Sequence, residues 1–159
     1  MRILVLSDTH SQPLPNKVKE ELRNVDMILH LGDFTDVALL NSLKAAHEVR
    51  AVYGNMDGPD LRQVLPKQLS FKCEDVTIGL VHGQGAPGKV IESVRECFKG
   101  EKLDAIVFGH SHAPMNEVVD GILLFNPGSP TDIVRAPFRS YGILEVIGKM
   151  IKGQIIKLQ

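Results

Sequence analysis

Seven side chains able to ligate a metal ion fall in short polar stretches that directly follow apolar runs. Asp8 and His10 lie in "SDTH", Asp33 in "HLGD", Asn55 in "GNMD", His82 in "VHG", and His110 and His112 in "GHSH". The donors are oxygen and nitrogen only, with no thiolate. That set suits Mn²⁺, Fe, Co²⁺, Ni²⁺ or Zn²⁺, whereas calcium or magnesium would ask for oxygen alone. Singly, each match is weak, because an aspartate after a strand is usually a turn former. Together they carry weight. Four of the six histidines (His10, His82, His110, His112) stand in these stretches. Gathered in one cleft without a cation, these groups would carry a heavy desolvation and repulsion cost. Seven ligands exceed what one first-row ion with an open position can use, and match two ions sharing a carboxylate.

The elements that must gather them read as an α/β chain. Residues 2–7, 25–31 and 48–54 are short β-branched or apolar runs, separated by helical patterns at 13–24 and 36–46. This β-α-β-α-β order predicts parallel pairing with right-handed crossovers. Further on, 67–74 and 76–83 flank a polar turn at Glu74 and Asp75, 87–100 forms a helix, and 103–110 another buried strand. Asp120-Gly121 and Gly148-Lys149 each separate two apolar runs and predict two-residue hairpins. Two mixed sheets packed face to face with helices outside are expected, in one domain spanning 1–159. Every candidate ligand then falls at the carboxyl end of a strand, where open α/β sheets bind ligands, usually beside a glycine that lets the chain turn.

Bulk properties narrow the partners. Of 159 residues, 43% are hydrophobic and 23% charged, with net charge -1. No basic field favours long nucleic acid or an anionic membrane. No apolar stretch nears the roughly 20 residues of a membrane span. The N-terminus reads as a first strand and not a signal peptide. Cys73 and Cys97 lack metal spacing and read as reduced thiols, which implies the cytoplasm.

The motifs "DTH" (8–10), "GD" (32–33), "GN" (54–55), "VHG" (81–83) and "GHSH" (109–112), with "NPGS" (126–129), resemble, in that order, the calcineurin-like metallophosphoesterase superfamily. Within it the chain is similar to the small bacterial and archaeal YfcE-type phosphodiesterases. The resemblance implies a four-layer α-β-β-α sandwich. It implies one ion on Asp8, His10, Asp33 and His112, and a second on Asp33, Asn55, His82 and His110, with Asp33 bridging. Asp33, Asn55 and His110 are then catalytic as well. It further implies Mn²⁺, with Fe, Ni, Co or Zn as substitutes, and a hydroxide between the ions that attacks phosphorus. Larger members have a histidine after the asparagine. Met56 stands there, and a thioether donates no proton. Leaving-group protonation would fall to water, the substrate or a neighbour such as Asp57, which reads otherwise as a support behind the ligands or as a turn residue in "MDGPD".

No lysine or arginine lies inside the motifs, which favours a small diester over a dianionic monoester. Arg135 and Arg139, in the loop 129–139, read first as a solvated loop and second as cations that reach the site; that loop and 56–66 would wall the pocket. Asn126 and Ser129 read either as substrate contacts or as a tight turn. His30 reads as a support for the "GD" step or a buried structural group, Asp36 as a helix cap, and His47 as a solvated helix end. Two rival functions are a protein-binding scaffold, as in the retromer subunit of this fold, and a nuclease acting on short nucleic acid. The apolar stretch 142–158 would also suit a homo-oligomer interface, although it reads first as a hairpin.

Overall fold

The computed structural model describes residues 1–159. Two five-stranded mixed sheets pack face to face. The first has the order β10-β9-β1-β2-β3, with β1 (Arg2–Leu6), β2 (Met27–His30), β3 (Glu48–Ala51), β9 (Ser140–Ile147) and β10 (Met150–Lys157). The second has the order β4-β5-β6-β8-β7, with β4 (Gln68–Cys73), β5 (Val76–Val81), β6 (Ala105–Val107), β7 (Met115–Val119) and β8 (Ile122–Asn126). β1, β2 and β3 are parallel, as are β5, β6 and β8, while the hairpins are antiparallel.

Side-chain alternation along the strands builds the layers. Ile3, Val5, Met27 and Leu29 of the first sheet meet Ile78, Leu80, Val107 and Phe125 of the second in one buried core. The opposite faces are covered by helices. Leu4, Leu6 and Ile28 pack on Val18 of α1 (Asn16–Glu21) and Leu43 of α2 (Val37–Ala46). Val81, Ile106 and Leu124 pack on Val90 and Val94 of α4 (Val90–Cys97). The result is the α-β-β-α sandwich.

Turn chemistry sets the register. Asp120 and Gly121 have φ of 52° and 78°, the positive values a two-residue hairpin turn needs, and Val119 pairs with Ile122 across it. Ile147 pairs with Met150 across Gly148-Lys149, a turn in which Gly148 alone has positive φ (56°). Asp36 caps α2, accepting from the backbone N–H groups of Ala38 (2.9 Å) and Leu39 (3.3 Å). One element departs from the sequence reading. The stretch 56–66 is not all loop: α3 (Pro59–Val64) lies within it, opened by Gly58 and by Pro59 at its first position. Leu61 and the adjoining Leu65 join Phe34 and Leu40 in a small core of their own.

Candidate metal centre

The loops following β1, β2 and β3 converge with those following β5 and β6. Close approach is possible because the neighbouring residues are glycines. A Cβ on Gly109 would lie 1.9 Å from Ser7 Oγ, and one on Gly54 would lie 2.1 Å from Asp33 Oδ1. Five of the seven candidate ligands have left-handed backbone: Asp8 (φ 55°), His10 (48°), Asp33 (55°), His110 (67°) and His112 (56°). Each costs on the order of 1 kcal/mol for an L-residue, and such strain collects at functional sites.

Asp8 is wholly buried. Its Oδ2 accepts from Ser7 Oγ (2.6 Å) and from the His110 backbone N–H (3.1 Å). Its Oδ1 has no hydrogen-bond partner, yet lies 3.2 Å from His112 Nε2 and 3.9 Å from His82 Nε2. Asp33 accepts from the Met56 N–H through Oδ1 (2.8 Å), while Oδ2 lies 3.5 Å from His82 Nε2 and 3.9 Å from His10 Nε2. Asn55 Oδ1 stands 3.1 Å from both His82 Nε2 and His110 Nδ1. The Nε2 atoms of His10 and His112 face each other at 3.4 Å. Two overlapping ligand groups result, Asp8-His10-His112 and Asp8-Asp33-His82, with donor atoms within 4.8 Å of one another. Asn55 and His110 adjoin the second.

Outer hydrogen bonds fix three of the rings. His112 Nδ1 donates to Asp132 Oδ2, His82 Nδ1 to the Leu31 carbonyl, and His110 Nε2 to the Gly85 carbonyl (2.9 Å). Each acceptor demands an N–H, so when a ring gives up its second proton it is the inward nitrogen that is left with a lone pair, as in metal-ligating histidines. The field is strongly negative. Burial opposes charging of His112, but Asp8 and Asp132 outweigh it and raise its pKa to about 9. Burial likewise opposes the raised pKa of His82, which Asp33 and Asp8 sustain. The carboxyls of Asp8 and Asp33 stay below their usual range despite burial, held there chiefly by His112 and by His82 respectively. A divalent cation is the natural replacement for protons so held. The orphaned Asp8 Oδ1, the opposed imidazole nitrogens and the O/N donor set therefore fit a metal ion.

A family model described as the calcineurin-like phosphoesterase superfamily domain matches residues 1–149. The chain belongs to the calcineurin-like phosphoesterase superfamily. A probable metallophosphoesterase of Methanocaldococcus jannaschii is 39% identical over 155 residues, 94% of this chain and 78% of the relative. A solved archaeal phosphodiesterase superposes with TM-score 0.77 at 26% identity, covering 98% of this chain and all of the other. A Vps29 of Chaetomium thermophilum superposes with TM-score 0.81 at 20% identity over 99% of this chain and 97% of its own, a likeness of fold.

Around this candidate site the remaining sequence candidates separate clearly. Asp57 is buried, and its two oxygens accept from the N–H groups of Asp33 (2.9 Å), Gly54 (2.7 Å) and Thr35 (2.8 Å). It braces the two loops that carry the candidate ligands Asp33 and Asn55, and both its oxygens are occupied by backbone N–H groups. His30 Nδ1 accepts from the Gly32 N–H (3.3 Å) and Nε2 donates to Thr9 Oγ1 (3.1 Å). Burial lowers its pKa to about 3, so it stays neutral. "NPGS" is a brace as well. Asn126 donates to the Gly109 carbonyl (2.9 Å) and Ser129 to the Asp8 carbonyl (2.8 Å), beneath the ligands. Arg135 lines the cleft beside His10 and His112. Arg139 does not reach it, because its guanidinium donates to the Gln159 carbonyl. His47 ends α2, half-buried.

Two functional residues escaped the sequence reading. Asp132, the orienter of His112, follows "NPGS" closely, and a carboxylate three positions beyond Ser129 was the available signal. Arg62 comes from α3 and donates to the carbonyls of Asp57 (2.7 Å) and Asn55 (3.1 Å). The absence of cations from the motifs therefore does not mean their absence from the site.

Proposed function

We propose that this phosphoesterase is a phosphodiesterase that hydrolyses small diesters with two divalent cations, Mn²⁺ being the preferred metal. Asp8, His10, Asp33 and His112 would hold one ion, and Asp33, Asn55, His82 and His110 the other, with Asp33 shared. The observation that carries this reading is the buried Asp8 Oδ1, without a hydrogen-bond partner, facing the Nε2 atoms of His112 and His82, whose Nδ1 N–H groups are already tied down. Bound there, such ions supply a nucleophile from water at neutral pH and neutralise charge on the phosphoryl oxygens.

The chain's own part is orientation. Asp132, the Leu31 carbonyl and the Gly85 carbonyl aim three imidazoles, and Asp57 locks the loop of Asn55 against that of Asp33. No side chain in the position after Asn55 donates a proton, since Met56 is there. The leaving oxygen takes its proton from water or from its own substituent. Diesters of acidic alcohols should therefore react much faster than those of simple alkanols. The likeness to an archaeal phosphodiesterase supports a diester. The complete ligand set favours catalysis over a scaffold role, and the net charge of -1 disfavours long nucleic acid. No helix is long and apolar enough to cross a membrane, and the free cysteines support a cytoplasmic setting.

The test measures bound metal and hydrolysis of bis(4-nitrophenyl) phosphate across Mn²⁺, Co²⁺, Ni²⁺ and Zn²⁺, with Asp33→Ala as control. Two ions per chain and turnover lost in Asp33→Ala are expected. A folded protein that takes up metal yet leaves the diester intact would overturn the proposal.

A further inference from the structure

We infer that the cleft running from Asn55 and His82 to Lys67 and Ser93 receives a second phosphate of the substrate, carried on the ester arm away from the bond that is cut. This rests on the phosphodiesterase reading of the adjoining centre. Asn55 and His82 form one wall of the cleft, so whatever fills it extends directly from the metal-binding groups.

Its chemistry is one-sided. Arg62 and Lys67 line it, and no carboxylate does. Arg62 is held in place: Nε donates to the Asp57 carbonyl, Nη2 to the Asn55 carbonyl, and the guanidinium lies 4.9 Å from the centre of the Tyr53 ring. Nη1 has no protein partner, so a planar donor is fixed with one nitrogen to spare. Lys67 is exposed and makes no ion pair, unlike Lys89 and Lys99 on the neighbouring helical segments, which pair with Glu92 and Glu96. Two cations without a carboxylate partner, one held rigidly with Nη1 to spare and one free, match a phosphate, whose oxygens accept charge-assisted bonds.

Equilibrium titration of the Mn²⁺-loaded protein with thymidine 5′-monophosphate and thymidine 3′,5′-bisphosphate tests this directly. The two differ only in the second phosphate. The bisphosphate should bind about 10-fold more tightly. Lys67→Glu should abolish that difference and leave the monophosphate affinity within about twofold, while Lys67→Arg should preserve the difference. Lys67 is exposed and away from the metal ligands, so these variants should fold normally, and thermal melts check that they do. Equal affinity for the two nucleotides in the unaltered protein, or a preference that survives Lys67→Glu, would overturn the inference. Turnover of bis(4-nitrophenyl) phosphate, which has no second anion, is followed in parallel. Its absence would strike the phosphodiesterase reading, while the affinity ratio still decides the role of the cleft.

Discussion

Replacing Gly54 by alanine tests whether the centre depends on the close approach of two loops. The new Cβ would lie 2.1 Å from Asp33 Oδ1 and 2.5 Å from the Asp33 backbone nitrogen, about 0.9 Å short of the 3.0 Å that real Cβ contacts respect. Asp33 has little room to yield. Its Oδ1 is held by the Met56 N–H at 2.8 Å and its own N–H by Asp57 at 2.9 Å. Overpacking of this kind costs about 1–3 kcal/mol. In a domain of this size that lowers Tm by roughly 3–10 °C. The larger effect falls on function. A ligand displaced by nearly 1 Å should weaken Mn²⁺ binding and lower turnover by about 100-fold. Calorimetric Mn²⁺ titration and thermal melts of Gly54→Ala would be read beside Gly88→Ala, where nothing lies within 4 Å of the added Cβ. Unchanged Mn²⁺ affinity and Tm in Gly54→Ala would refute the argument that Asp33 is wedged against Gly54.

Asp132→Asn keeps the oxygen that accepts from the Val134 and Arg135 N–H groups but presents an NH₂ to His112 Nδ1. Metal affinity should fall about 10- to 100-fold with little change in Tm, and an unchanged titration would deny Asp132 its orienting role. Mn²⁺ at 100 times its Kd should stabilise the fold by about 2.7 kcal/mol, raising Tm by roughly 5–10 °C over the chelated protein. A melt indifferent to chelator would count against a structured metal site. Burial and the nearby Glu21 carboxylate push the Tyr141 phenol up to about 12, against about 10 in an unfolded chain. Its contribution is fully present below about pH 10 and is lost as pH rises towards 12, because the unfolded state releases the proton first. Urea midpoints should fall across that window, less so in Tyr141→Phe, and parallel slopes for the two proteins would exclude this cause.

Much of this architecture was legible because its signals are local. Alternating and continuous apolar runs announced the strands, and Asp120-Gly121 and Gly148-Lys149 announced their hairpins. α3 was missed because six residues carry barely two turns of periodicity, and Leu61 and Leu65 find their core only in three dimensions. The seven candidate ligands stood out by residue type and position after strands. The residues that aim them did not, since Leu31 and Gly85 act through backbone carbonyls, which no sequence pattern displays. Asp57 could be read as a proton donor, a support or a turn residue, and the three backbone N–H groups around it decide for the support.

The centre draws Asp8, His10, Asp33 and Asn55 from loops of the first sheet and His82, His110 and His112 from loops of the second. Cations bound to both sets would add to the apolar core and the hydrogen bonds, such as His110 N–H to Asp8 and Ser129 to the Asp8 carbonyl, that already join the two layers. Partial opening that parted the layers would then have to release the ions as well. Slowly exchanging amides on β1, β2, β5 and β6 should accordingly lose their protection together, as a single cooperative unit, when metal is loaded. Metal supply would thus govern how long the folded chain survives proteases in addition to how fast it turns over substrate.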